Sequence, residues 1–86
     1  MKIITVTVED SGEGVTEQKA YIIPEGGKEA DKMWKKINKY FKSKILEADP
    51  NIEKEELKLA IESGLWFQEN GNYRSVVIYH PDIIEA

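Results

Sequence analysis

The chain of 86 residues contains no cysteine, one histidine and one arginine. The lack of cysteine excludes disulfides, cysteine-ligated zinc, iron–sulfur clusters and thiol catalysis, and one histidine cannot form a site of several histidines. Catalysis by His80 would require a nucleophile and an orienting carboxylate that converge on it, and no serine lies in a glycine-flanked turn. We therefore predict that the protein is not an enzyme and has no catalytic residue, metal site or cofactor.

Long apolar runs are also missing. No apolar stretch approaches the roughly 20 residues of a membrane-spanning helix. Threonines interrupt the apolar residues near the amino terminus, so the continuous apolar run of a secretory signal is not present there. The glycines lack the lysine and Ser/Thr of a phosphate-binding loop, so no small-molecule substrate is indicated. We expect a cytoplasmic protein without a membrane partner, folded as a single small domain over residues 1–86.

Apolar residues that alternate with threonines predict a first strand over residues 3–8. The segment 9–16 is rich in glycine and acidic residues and predicts a hairpin loop. A second strand is expected over about residues 18–23. It ends at Pro24, which cannot donate a hydrogen bond to a neighbouring strand.

A long helix is predicted from Lys28 onward, because apolar residues recur there every three or four positions. These positions are Ala30, Met33, Trp34, Ile37, Tyr40, Phe41 and Ile45. Lys44 would project from the apolar face of a regular helix, so we expect the helix to end or loosen around residues 42–46. A second, short helix is expected to begin near residues 49–51, with Pro50 in its first turn, and to end at Gly64.

Two aromatic and β-branched runs, 65–69 and 72–80, are joined by Asn70-Gly71, a strong hairpin signal. A two-residue turn would place Phe67 across from Arg74 and Leu65 across from Val76. Residues 83–86 are expected to form a tail. The predicted order is ββααββ.

Two hairpins that enclose a helical segment predict an α+β fold. Its simplest form is a two-layer sandwich, in which one long and one short helix cover one face of a four-stranded, mainly antiparallel sheet. The alternative is a β-grasp-like arrangement, in which the first and last strands pair in parallel at the sheet centre. The sequence does not separate the two.

Charge is distributed unevenly along the chain. The segment 28–44 holds seven lysines and two acidic residues, so it carries +5, whereas the whole chain carries −4 and the remainder therefore −9. Lysines on the helix face opposite the apolar stripe suggest a nucleic-acid-binding domain as the alternative function. They are Lys28, Lys32, Lys35, Lys39 and Lys42. Against this interpretation, the aromatics lie on the apolar face and the net charge is negative, and a solvated helix face accounts for the same pattern.

Trp66 and Phe67 are adjacent in a strand and must point to opposite faces, so only one of them can meet the helices. The other needs a cover from a loop or from the tail, or a partner. Tyr73 and Tyr79 share a strand face with Val77 and raise the same question. Acidic residues outside the long helix offer a second surface: Glu9, Asp10, Glu13, Glu17, Glu53, Glu55 and Glu56.

The leading hypothesis is therefore a non-enzymatic protein-interaction module, a small regulator, inhibitor or antitoxin-like protein. It would bind another protein, or a second copy of itself as a homodimer, through its sheet face or acidic surface. Trp66, Phe67, Tyr73 and Tyr79 are the candidate contact residues.

Overall fold

The computed structural model describes residues 2–70, 74–80 and 83–85, with only the backbone of residues 70, 74 and 83–85. Five strands and two helices follow in this part of the chain: β1 (Lys2–Asp10), β2 (Gly14–Ile23), α1 (Gly27–Ala48), α2 (Lys54–Ser63), β3 (Leu65–Asn70), β4 (Arg74–Tyr79) and β5 (Ile83–Glu85). The predicted α+β class and the order ββααββ are confirmed, with β5 in addition.

The sheet has the strand order β2-β1-β4-β3, and all of its pairings are antiparallel. Since β1 and β4 run antiparallel, the β-grasp alternative with a parallel central pair is not adopted. The prediction of a tail after residue 82 is wrong for residues 83–85, which pair with Lys2–Ile4 of β1. β4 pairs with the half of β1 from Thr7 to Asp10, and β5 pairs with Lys2–Ile4 along the same edge. The pairing of β5 satisfies backbone N–H and carbonyl groups of β1 that do not pair with β4.

The core lies between the sheet and α1. Ile4 and Val6 of β1 are fully buried, and so are Ile37, Phe41 and Ile45 of α1. The three helix residues recur every four positions, which places them in one row along the side that faces the sheet. Helix α1 contacts β1, β2 and β4, and α2 contacts β3, so both helices cover the same face of the sheet.

Helix α1 continues to Ala48, and the prediction that it ends or loosens around residues 42–46 is wrong. Lys44 does project inward, with its side chain 13% exposed. It is accommodated because its ammonium forms ion pairs with Glu17 of β2 and with Glu47 one turn further along the helix. Two carboxylates thus replace the water that a partly buried lysine would otherwise need.

Helix α2 begins at Lys54, later than the predicted residues 49–51. The Asp49 carboxylate accepts the Asn51 N–H at 3.3 Å and the Asp49 carbonyl accepts the Ile52 N–H at 3.2 Å. Asp49 therefore ends α1 and forms a turn, and it is not the N-cap of α2. The predicted stop at Gly64 is confirmed. This residue has φ 73° and donates its N–H to the Ala60 carbonyl, as a left-handed helix cap does.

The register of the second hairpin differs from the one predicted. Phe67 pairs with Val77 and Leu65 with Tyr79, and the described ladder extends to the pair of Asn70 with Arg74. The predicted turn at Asn70-Gly71 falls partly on residues 71–73, which lie outside the described residues. The observed register pairs Trp66 with Ile78, and both are buried under the helices. A shift by an odd number of residues would turn one of them toward solvent, so burial of the large Trp66 ring favours this pairing.

Candidate functional site

The helices cover one face of the sheet and leave the other open. Adjacent residues of β3 show the difference: Trp66 is 4% exposed and Phe67 is 50% exposed. The prediction that only one of the two meets the helices is confirmed, and Trp66 is that residue. Its indole therefore lies in the core and not on the open face.

Four side chains of β3 and β4 lie together on the open face. We call them the sheet-face patch: Leu65, Phe67, Val77 and Tyr79. Phe67 is directly opposite Val77 and Leu65 is opposite Tyr79, so their Cβ atoms are about 5 Å apart. Phe67 and Leu65 are each about half exposed, and Val77 and Tyr79 are half-buried. The backbone of residues 83–85 lies beside β1 in the sheet, so that segment does not cover Phe67.

Carboxylates border the sheet-face patch. Glu9 pairs with Val77 across the β1–β4 ladder, and its carboxylate accepts the Tyr79 hydroxyl at 3.0 Å. Glu69 follows Phe67 by two residues in β3 and is exposed on the same face. No described strand residue on this face is basic. The open face thus combines an apolar centre with a negative border.

The other predicted contacts divide between the two sides of the molecule. Tyr73 lies outside the described residues, so its place in the site stays a prediction. Glu17 is on the covered side, where it binds Lys44, and is therefore separated from Glu9. Asp10 accepts the Gly12 N–H at 2.8 Å within the first hairpin turn. The acidic residues do not form one surface on the open face.

The lysine face of α1 is exposed throughout. It comprises Lys28, Lys32, Lys35, Lys39 and Lys42, as the helical spacing predicts. Lys32 forms an exposed ion pair with Glu29 at 3.8 Å. Phe41 is buried and Trp34 half-buried on the side toward the sheet, so neither ring lies among these lysines.

Tyr40 differs from the other aromatics of α1, because it lies at the border between the helix and β2. Its hydroxyl donates to Glu17 at 3.2 Å, and Glu17 also binds Lys44. The hydrogen bond from Lys44 lowers the pKa of the Glu17 carboxyl, and the same bond raises the pKa of Lys44. Burial of the hydroxyl, and then its bond to Glu17, raises the pKa of Tyr40. These three groups tie the edge strand to the helix.

His80 packs within the covered layer. Its ring meets the edges of Phe41 and Trp34, with centroid distances of 5.3 and 6.1 Å. Its backbone N–H donates to the Gly64 carbonyl at 3.1 Å, whereas its Nε2 is buried and has no hydrogen-bond partner among the described residues. The described ring contacts of His80, with Phe41 and Trp34, are aromatic packing contacts.

Comparison of the chain with protein-family models, with curated proteins and with solved structures gives no match. Over residues 2–70, 74–80 and 83–85, no group of three or more acidic or histidine side chains is placed to hold a metal ion. Neither helix in the described part of the chain is long and apolar enough to cross a membrane.

Sequence reasoning missed two groups of residues. Leu65 shares the face of Phe67, and the period of two along β3 would have identified it. The group around Tyr40 was missed because Lys44, a lysine at an apolar helix position, was interpreted as a sign of a helix end. Lys44 instead occupies this position because it pairs with the carboxylate of Glu17 on β2. No local sequence pattern identifies that distant partner.

Proposed function

We propose that this chain is a non-enzymatic protein-interaction module that binds a partner protein through the sheet-face patch. The observation that carries the proposal is the exposure of Phe67 and Leu65, about half each, on a sheet face that no described element covers. A contiguous apolar group on a small domain marks an interaction surface. Covering Phe67 and Leu65 on binding would stabilise the complex by about 25 cal/mol for each Å² of apolar surface removed from water.

The border of the patch suggests the chemistry of the partner. Glu9 and Glu69 place negative charge next to Phe67 and Val77. A partner with an apolar surface surrounded by Lys or Arg would complement this border, which speeds encounter and sets specificity. A second copy would bring identical carboxylates to the same border and is disfavoured. The module would thus act as a small regulator, inhibitor or antitoxin-like protein, and its cytoplasmic location stays a prediction.

Photo-crosslinking with benzoylphenylalanine tests this proposal. Position 67 is compared with position 35, which is exposed on the opposite side of the molecule. We expect one discrete heterologous product from position 67 and none from position 35. The captured protein is then purified for binding measurements. A product that contains only a second copy of the chain would contradict the proposed partner chemistry.

Affinity for the purified partner provides the decisive readout. Phe67→Asp should weaken binding about 30-fold or more, since a central aromatic contact contributes about 2 kcal/mol or more. Lys35→Glu should change it less than about threefold, and raised salt should slow association. An unchanged affinity for the Phe67→Asp variant would exclude the sheet-face patch as the binding surface.

Nucleic-acid binding by the lysine face is the second candidate function. It is favoured by the continuous exposure of five lysines along α1 from Lys28 to Lys42. Lysines in such a row could neutralise successive phosphates. Titration with duplex and single-stranded oligonucleotides at about 50 mM salt tests it, because phosphate contacts are strongest at low salt. No binding under these conditions would remove this candidate.

A further inference from the structure

A groove between α1 and β2 lies on the covered side of the sheet, away from the sheet-face patch. It has a volume of about 310 Å³ and is lined by Lys19, Tyr21, Lys36, Lys39, Tyr40 and Ser43. Lys36, Tyr40 and Ser43 are spaced by four and three positions and Lys39 adjoins Tyr40, so the four helix residues line one side of about two turns of α1. The two strand residues face the same side because they are two positions apart.

Lys19 is positioned by two aromatic rings. Its ammonium lies 5.3 Å from the centroid of Tyr21 and 5.2 Å from that of Tyr40. Tyr21 is buried, and Tyr40 is fixed by its hydrogen bond to Glu17. A lysine that is already held by cation–π contacts loses less conformational freedom when it binds an anion.

The charge that lines the groove is positive only. Three lysines contribute to it, and no carboxylate does. Glu17, which accepts the Tyr40 hydroxyl, does not line the groove and forms an ion pair with Lys44, which Glu47 shares. Within the described residues, neither Lys36 nor Lys39 forms an ion pair. An anion in the groove would relieve the repulsion between these ammonium groups.

We propose that the α1–β2 groove binds a phosphate monoester that carries a planar or apolar group. The ammonium groups of Lys19, Lys36 and Lys39 contact the phosphate oxygens. The ammonium groups of Lys19 and Lys44 lie 5.2 and 5.4 Å from the Tyr40 centroid, so the attached group contacts the part of the Tyr40 ring that faces the groove beside them. The Ser43 hydroxyl donates to the Tyr40 carbonyl at 2.7 Å, so the lysines supply the principal contacts. This site is independent of the protein-binding proposal.

A titration followed by backbone amide shifts tests the site, with adenosine 5′-monophosphate as the probe and adenosine as its phosphate-free control. At about 50 mM salt, the monophosphate should shift residues 19, 36–43 and their neighbours, and adenosine should not. A 12-nucleotide oligothymidine shows whether a strand enters the same groove. No shift with any of the phosphate probes would overturn the proposal.

Matched double variants distinguish the groove from general attraction to lysine. Lys36→Gln with Lys39→Gln should weaken monophosphate binding about tenfold, since each phosphate contact is worth several-fold in affinity. Lys32→Gln with Lys35→Gln removes equal charge one turn away and should change it less than about twofold. Both pairs are exposed, so folding is preserved. Equal weakening by the two doubles, or binding of the oligonucleotide alone, would contradict the groove and favour the lysine face.

Discussion

The two faces of the sheet differ in how far they are covered, and two adjacent residues of β3 show the difference. Trp66 is covered by the helices and Phe67, the next residue, is half exposed. Strand alternation places them on opposite sides, and among the described elements only the Trp66 side has a second layer to contact. Both described helices lie on the Trp66 side, and no described element covers the side of Phe67, which is why we propose that side as the binding surface.

Charge is divided between the same two sides. The outer side of the helical layer carries the lysine face from Lys28 to Lys42, whereas the open face carries Glu9 and Glu69. The net charge of −4 hides this separation. It follows that the two sides would attract ligands of different kinds: a phosphate ester in the α1–β2 groove and a basic, apolar protein surface at the sheet-face patch.

The largest expected effect is a difference in folding stability between substitutions on the two faces of the sheet. Trp66→Ala should lower the free energy of unfolding by about 3–5 kcal/mol, because it leaves a cavity in the core. Phe67→Ala should cost less than about 1 kcal/mol, since its ring already contacts water. Urea unfolding followed by circular dichroism measures both, with Trp66→Phe as a milder variant if the alanine variant does not fold. Equal losses at the two positions would contradict the distinction between the faces.

A second comparison uses two glycines with positive φ. A Cβ at Gly64 would clash with the His80 ring, whereas a Cβ at Gly14 would meet no described atom within 4 Å. Gly14→Ala should therefore cost about 1 kcal/mol from backbone strain alone. Gly64→Ala should cost about 2–3 kcal/mol, because the ring must also move. Thermal unfolding of both variants tests this order, and the reverse order would show that His80 does not pack on the end of α2.

The Glu17, Tyr40 and Lys44 group predicts a smaller, pH-dependent effect. The pKa of Glu17 is lowered, so its contribution to stability is present above its unfolded pKa and is lost as the pH falls through the folded pKa. The pKa values of Lys44 and Tyr40 are raised, so their contribution is lost as the pH rises above about 10. Glu17→Gln should reduce stability at neutral pH and flatten the losses at both ends. Glu62→Gln, on the exposed side of α2, is the control and should leave the profile unchanged.

The smallest effect is expected on the lysine face. Lys32→Gln with Lys35→Gln should change the free energy of unfolding by less than about 0.5 kcal/mol, because both side chains are exposed and the Lys32–Glu29 pair is solvated. Chemical unfolding at low and high salt provides the measurement. A large loss would mean that the face is held within the fold and is not free for ligands.

Local sequence patterns predicted much of the fold. The alternation over residues 3–8, the apolar stripe from Ala30 to Ile45 and the stop at Gly64 each correspond to an observed element. These features depend on periods and backbone conformations that neighbouring residues determine. The alternation of side chains along a strand likewise predicted that one of Trp66 and Phe67 would contact the helices, but it did not identify which of the two residues does so.

Features that depend on distant partners were not predicted. The inward Lys44 requires Glu17, 27 residues earlier, and strand β5 requires an open edge on β1. The register of the second hairpin follows from burial of Trp66 against the helices and not from Asn70-Gly71. The α1–β2 groove likewise joins Lys19 to Tyr40, and no local spacing brings these residues together.

Hydroxyl-radical footprinting with residue-level mass spectrometry tests the two-sided sheet most directly. In the free chain at low concentration, Phe67 and Leu65 should be modified at rates near those of the unfolded chain, whereas Trp66 should be protected about tenfold or more despite its reactive indole. Addition of the partner captured at position 67 should protect Phe67 and Leu65 and leave Lys35 unchanged. Modification of Trp66 at its unfolded rate, or no protection of Phe67 by the partner, would contradict the assignment of function to the open face.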